Sequence, residues 1–394
     1  MIVRVAAKGD GVTGDGRHVP LSAPGDRVAA DGSLAWGPFH VTPPCTHFPE
    51  CGGCQLQHLD DVTYATFVRD RVAGALAGQG VEAGVVLPAH VSPPRSRRRA
   101  SLRMVRSGRR VQIGFASEGT HSIVDMSMCE ILAPELFALV APLRALAADI
   151  VPDRGAGHAR LSLTDQGVDL LLEGVAADDL RAAEALTDFA KAQGLARLTV
   201  DDGYGPQTRW EPEPATVSFG GVAVAFPPYA FLQATRDGEA ALVEAARPAL
   251  EGAMAFADLF AGLGTFALSL GEGRAVYAAE AARDLVLALK SGGARGQRRM
   301  AAEHRDLFRR PLVPDELNRF GAVLIDPPRA GAREQAGQIA ASKVPAVAYV
   351  SCNPSSFARD AKTLVEGGYT LESVQPVGQF RWSTHVELVG VFRR

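Results

Sequence analysis

The sequence lacks any run of 18 consecutive apolar residues, so no segment of it reads as a membrane-spanning helix. Arg4, Lys8 and Asp10 interrupt any secretory leader, and the chain is expected in the cytoplasm with no membrane partner. Cysteine is scarce: five in 394 residues is too few for a disulfide scaffold. Excess charge is missing too, the formal net being −3, which excludes a uniformly basic coat but not a local patch. Lysine is nearly absent, since 36 of the 41 basic residues are arginine. There are no internal repeats and no long low-complexity segments. With 47% hydrophobic and 22% charged residues, the remainder is an ordinary globular composition, enough for two or three domains of ~150 residues.

The few cysteines are not scattered. Cys45, Cys51 and Cys54 fall within ten residues, Cys129 follows much later, and Cys352 lies alone near the end. Four plus one suggests a four-thiolate metal site and a separate reactive thiol. Upstream of the cluster, residues 1–42 are short alternating runs broken by glycine, the pattern of a small β-barrel cut short. From Asp61 to Gly80, a stripe of Tyr64, Phe67, Val68, Val72 and Leu76 predicts a helix. Residues 91–215 mix strand patterns with an alanine-rich helix around Ala176–Gln193, an α+β layer.

The last 180 residues alternate differently. Apolar runs at Ala255–Phe260, Val276–Ala279, Gly321–Ile325 and Ala346–Val350 each finish at a glycine, an acid or a cysteine, with helical stretches between. This predicts a parallel sheet with its chemistry at the strands' carboxyl ends. Gly262 and Gly264 lie in a strand-to-helix turn, and Glu280 follows Gly262 by 18 residues, the spacing of an acid that accepts ribose hydroxyls. The third glycine of a dinucleotide fingerprint is missing, so a nucleoside without pyrophosphate, such as S-adenosylmethionine, fits better. Asp326-Pro327-Pro328 ends the next strand in the manner of amino-group methyltransferases. Arg329 stands where those carry an aromatic, and a plain Pro-Pro turn explains the same residues.

Cys352 follows a buried strand in a Ser-Cys-Asn-Pro turn, and Glu387 follows Thr384-His385-Val386. Without chemistry, these would be a small buried hydrophobe and a solvated acid on an edge strand. Together with a cofactor pocket they match one reaction. A thiolate adding to carbon 6 of uracil turns carbon 5 into a nucleophile for an activated methyl group. A base must then remove the carbon 5 proton.

The blocks CTHFPECGGCQLQH, DLFAGLGTF, LIDPPRAG, SCNPSSFARD and THVEL resemble the RNA uracil-5 methyltransferase family that acts on tRNA and 23S rRNA. The resemblance covers nearly the whole chain. It implies Cys352 as nucleophile and Glu387 as base, and a cofactor pocket at Gln233, Phe260, Gly262, Gly264, Thr265, Glu280, Asp306 and Asp326. Thr265 and Asp306 stand where relatives carry asparagine. RNA 5-methylcytidine enzymes have a cysteine in the block matching DPPRAG, and its absence here favours uracil.

Spacing alone leaves zinc and a [4Fe–4S] cluster both open for Cys45, Cys51, Cys54 and Cys129, with His47 and His58 as substitute zinc ligands. The resemblance to cluster-bearing rRNA members implies the cluster. Eight arginines and no acid occupy residues 95–110, and Arg95, Arg97, Arg98, Arg99 and Arg103 are candidates to bind RNA phosphates.

The resulting expectation is an α/β chain acting as a monomer. Residues 1–42 form an abbreviated TRAM-like barrel, and 43–215 form an α+β iron–sulfur domain that binds RNA. Residues 216–394 form a class I S-adenosylmethionine-dependent, Rossmann-like catalytic domain, on which the helix at 61–80 is a candidate to pack. The expected activity is methylation of carbon 5 of a uridine in 23S rRNA, the alternatives being a tRNA uridine or N-methylation through Asp326-Pro327-Pro328.

Overall fold

The computed structural model describes residues 1–394 apart from His121 and Asp178. The chain divides into two compact units that are not contiguous in sequence. The first comprises Met1–Asp60, Pro93–Val217 and the tripeptide Arg381–Ser383, and the second Asp61–Ser92, Ser218–Phe380 and Thr384–Arg394. No helix among the described residues is long and apolar enough to cross a membrane.

In the first unit, strands Ile2–Val5, Gly11–Thr13 and His18–Val19 make a three-stranded antiparallel sheet, and Arg27–Val28 pairs separately with Leu34–Ala35. These two small sheets occupy the stretch where an abbreviated barrel is expected. Strands of two to four residues, turning at left-handed glycines such as Gly9 and Gly16, keep both sheets small. The larger part is a six-stranded sheet in the order Pro206–Trp210, Arg197–Asp201, Val168–Glu173, Ala156–Leu163, Arg99–Ser107, Arg110–Gly114. Its one parallel pair, Val168–Glu173 with Arg197–Asp201, is joined through the helix Leu180–Ala192. Asp179 caps that helix by accepting from the Ala182 N–H at 2.7 Å. Strand alternation puts Ala100, Leu102 and Met104 into the core and turns Arg99, Ser101 and Arg103 to the other face. The tripeptide closes this unit locally. The Trp382 carbonyl accepts the N–H groups of Gln55 and Leu56 at 2.8 and 2.9 Å, and the Trp382 ring is buried with Cys54 and Ile131.

The second unit is built on a nine-stranded sheet. Its spatial order is Met300–His304, Ala275–Glu280, Ala255–Leu259, Ala322–Ile325, Ala346–Ser351, Glu387–Arg393, Thr370–Gly378, Ala83–Val86, and His90–Val91 also pairs with Thr370–Gly378. The first five strands run parallel, and Glu387–Arg393 enters antiparallel to both its neighbours. Ala322–Ile325 and Ala346–Ser351 are buried at every position, as continuous apolar strands covered on both faces must be. Each such Val, Leu or Ile contributes about 1.5–3 kcal/mol of burial. The helix predicted over 61–80 is Asp61–Ala77, with the predicted stripe as its buried face.

Candidate active site

The path through the nine-stranded sheet reverses at Ala255–Leu259. The next two strands extend the sheet to one side and the following two to the other. Such a reversal leaves a crevice beyond the strands' carboxyl ends. The loop that leaves Ala255–Leu259 is held in unusual backbone conformations, with φ of 63° at Phe260, 56° at Gly262 and 91° at Gly264. At Gly264 a side chain would also collide, since a Cβ there would lie 2.3 Å from Leu289. Glu280, ending the adjacent strand, holds this loop. One carboxylate oxygen accepts from the Gly262 N–H at 3.0 Å and the other from the Ala282 N–H at 2.8 Å. Beneath the loop, fully buried Asp258 accepts from the Ala267 N–H at 2.8 Å, while its second oxygen has no partner among the described residues. Burial pushes its carboxyl up to about 7, with the charge of Glu280 adding.

The other predicted pocket residues gather supports that the sequence did not reveal. Gln233 is buried and accepts from the Gln379 side chain at 2.7 Å, and Gln379 in turn accepts from the Ala234 N–H at 2.8 Å. Asp306 accepts from the Phe308 N–H at 3.0 Å and so orders the turn that carries Phe308. The exposed Phe308 ring lies 5.3 Å from that of Phe260, at 54°. Thr265 is the first residue of the helix Thr265–Leu270.

Ser351 and Leu388 are the last pair of the antiparallel ladder, which brings Cys352 and Glu387 to the same end of it. The bland reading of Glu387 as a solvated edge acid is corrected: it is buried, on a strand with a neighbour on each side. Burial pushes the Cys352 thiol up to about 11, Glu387 and Asp326 add to the rise, and Arg329 opposes it. Burial likewise holds the Asp326 carboxyl well above the usual carboxylate range, with Glu387 and Asp258 contributing. Cys352, Glu387, Asp326 and Arg329 therefore share one electrostatic neighbourhood. Asn353 caps the helix Pro354–Glu366 and donates through its amide to the Arg329 carbonyl at 3.1 Å. Ser356 donates to the same carbonyl at 3.1 Å. Buried Asp360 accepts from Tyr349, from the Ala332 N–H and from Arg359 at 2.6, 2.8 and 2.8 Å. The cysteine turn and the Asp326–Ala332 loop are thus fastened together, through Asn353 and Asp360, to which the sequence motif alone assigned no role.

In the first unit, Cys45, Cys51, Cys54 and Cys129 line one cavity together with Phe48, Phe115, Met126 and Ile131. All four thiols are free of disulfides. The Cys51 turn needs its glycine, because a Cβ on Gly52 would lie 2.9 Å from the Ala116 carbonyl oxygen. Burial pushes the Cys54 thiol up to about 12, with Cys129, Cys51 and Cys45 adding, and Cys51 and Cys129 are raised for the same leading reason. Among the described residues, no three His, Cys, Asp or Glu side chains are grouped so as to hold a metal ion. His58 does not line the cavity, and the Nε2 of His47 already accepts from the Ser127 N–H at 3.0 Å.

The arginine strip is not one surface, which corrects the simplest form of the expectation. Arg98 is buried. Arg97 lies over the Phe115 ring at 5.7 Å, donates to the Arg99 carbonyl at 3.1 Å and interacts electrostatically with Cys129 and Cys54. Arg95 forms a two-pronged pair with Glu130 at 2.9 and 3.0 Å. Arg99 and Arg103 remain half-buried on the outward sheet face, and Arg109 and Arg110 are exposed at the turn.

A family model described as tRNA (uracil-5-)-methyltransferase matches residues 298–394. An uncharacterized RNA methyltransferase of Zymomonas mobilis is 49% identical over 393 residues, 100% of this chain and 99% of that protein. The 23S rRNA (uracil(1939)-C(5))-methyltransferase of Halomonas elongata is 33% identical over 90% of this chain and 77% of its own length. The solved structure of Pyrococcus abyssi tRNA (uracil-54, C5)-methyltransferase, in complex with S-adenosyl-L-homocysteine, matches over 99% of both chains with a TM-score of 0.76 and 21% identity.

Proposed function

This chain belongs to the RNA uracil-5 methyltransferase family, and from that premise we propose that it methylates carbon 5 of a uridine in 23S rRNA, with Cys352 as nucleophile and Glu387 as base. The observation that carries the assignment of roles is that the charges of buried Glu387 and of Asp326 both act on Cys352, at the end of the ladder that Ser351 and Leu388 close. S-adenosylmethionine, when bound, supplies an electrophilic methyl group. Gln233, Phe260, Thr265, Glu280, Asp306 and Asp326 would hold it over the glycine turn at Gly262 and Gly264.

The residues divide the work in a definite order. The Cys352 thiol gives its proton to solvent, which Arg329 favours and the two nearby acids oppose. Its sulfur then bonds to carbon 6 of uracil, and the ring's electrons make carbon 5 the nucleophile that takes the methyl group. Glu387 removes the proton from carbon 5, the ring electrons return, and the carbon–sulfur bond breaks to release Cys352. For the sulfur to reach carbon 6, the base must leave its stack.

The rRNA target is supported by the Halomonas relative, and such a substrate belongs to the cytoplasm. A tRNA uridine is the second reading, favoured by the family model's description and the Pyrococcus likeness. Mass spectrometry of nucleosides from a deletion strain separates them: 5-methyluridine is expected to vanish from 23S rRNA and persist in tRNA. RNA carrying 5-fluorouridine should trap a covalent adduct at Cys352, and its absence removes that role.

We propose that the four-cysteine cavity holds a [4Fe–4S] cluster, since four thiols around one apolar cavity suit a polynuclear group. Cys45, Cys51, Cys54 and Cys129 would ligate it, and its role would be to fix this part of the chain. Arg99 and Arg103 are the arginines of the strip that remain suited to RNA phosphates.

A further inference from the structure

Large aromatic rings at a protein surface are usually held only by their own packing. Trp36 is mounted differently. It is 58% exposed, yet its ring stacks on His40 with centroids 4.1 Å apart and planes within 8° of parallel. His40 is fixed in turn, because its Nδ1 donates to Asp26 at 2.7 Å and both side chains are almost entirely buried. The same carboxylate accepts the Ala23 N–H at 2.8 Å and the Gly37 N–H at 2.7 Å, so one buried acid ties together the turn on both sides of the ring. Gly37 leaves this turn no slack, since a Cβ there would lie 2.5 Å from the Gly25 carbonyl carbon. More than half of the Trp36 residue surface stays open to solvent beyond that stack. Phe39 is also exposed in this turn, at 43%, and exposed Arg27 pairs with Ala35 on the neighbouring strand.

We propose that Trp36 is a stacking platform for an unpaired base of the RNA substrate. The inference rests on reading the chain as an RNA methyltransferase and adds to it a contact outside the crevice that holds Cys352. An indole already stacked on one side offers the other as the continuation of a stack, at the scale of a nucleobase. Every base has a π-face, so the contact is sequence-tolerant. The rigid mount means that little freedom is lost when the base arrives. Arg27 supplies a cation for the adjoining phosphate. A protein partner would use the same exposed ring differently, burying Phe39 and its apolar surroundings without any dependence on RNA.

The test uses the full-length protein and fluorescently labelled oligouridine of about 12 nucleotides, with affinity read by anisotropy at low salt. Trp36→Ala is expected to weaken binding by about 5- to 150-fold, and Trp36→Phe to restore most of it. S-adenosylhomocysteine affinity should be unchanged in both. In the wild-type protein, oligouridine should quench tryptophan emission, and Trp36→Phe should abolish that quenching. Wild-type oligouridine affinity in Trp36→Ala overturns the inference, whether or not a protein contact is lost, while the enzyme reading stands as long as the wild type methylates RNA. A wild-type protein that neither binds nor methylates RNA overturns both.

Discussion

Cys352 and three of the clustered cysteines, Cys51, Cys54 and Cys129, are all raised first by burial and differ in the charges that add to it. At Cys352, burial is reinforced by two carboxylates, Glu387 and Asp326, and opposed by one guanidinium, Arg329. In the cavity, burial is reinforced by the other thiols, which raise one another, and Arg97 is the arginine that faces Cys129 and Cys54. The difference is one of what can relieve each group. A buried thiol raised further by fixed charges responds to a change in one neighbour or to a cation brought to it. Buried thiols that raise one another are favoured to ionise by a shared positive group, which is the behaviour of a ligand set.

Exchanging the damage between the two sites tests this most strongly. Cys352→Ala should lower methylation by at least ~1,000-fold while leaving iron content and colour at wild-type levels. Cys51→Ser should lose colour and iron yet keep S-adenosylhomocysteine binding, and an unchanged absorption spectrum would sink the cluster. A smaller effect is expected from Glu387→Gln. Wild-type Cys352, with its thiol near 11, should alkylate about tenfold faster for each pH unit between 7 and 10 as the thiolate fraction grows. Removing the negative charge of Glu387 favours the thiolate, so the thiol's pKa falls and alkylation at pH 8 speeds up. Methylation in the same variant should fall about 100-fold. Peptide mass spectrometry of iodoacetamide-treated protein reads the alkylation, and an unchanged rate at pH 8 would remove Glu387 from the thiol's surroundings. The smallest effects should come from the arginines, each worth about 1 kcal/mol or roughly fivefold. Arg97→Gln should speed iron release to a chelator, and Arg329→Gln should slow alkylation of Cys352. An arginine that affected both sites equally would dissolve the contrast.

The parallel strands were legible because their apolar runs are continuous and each ends at a residue of different character, as Ile325 does at Asp326. Cys352 and the four clustered cysteines were legible because their spacing is unusual. The burial of Glu387 was not, since its strand is interior only because it inserts between Ala346–Ser351 and Thr370–Gly378, a pairing that no local pattern announces. Gln379, Phe308 and Asp360 escaped for a related reason: each acts through partners that its own neighbourhood does not name, as Gln379 does on Gln233. The arginine strip misled because composition counts charges without the alternation that buries Arg98 and leaves Arg99 half-exposed.

The tripeptide Arg381–Ser383 has a consequence for the order in which this protein can be made. Cys45, Cys51 and Cys54 are synthesised early, but Trp382, whose carbonyl holds Gln55 and Leu56 and whose ring covers Cys54, is added only near the end. At about 5–20 residues per second, translation keeps those thiols waiting for tens of seconds. The early part of the chain therefore cannot finish folding as it emerges from the ribosome. The cavity's own lining ends at Ile131, but the ring that packs against Cys54 and Ile131 arrives only on an almost fully translated chain.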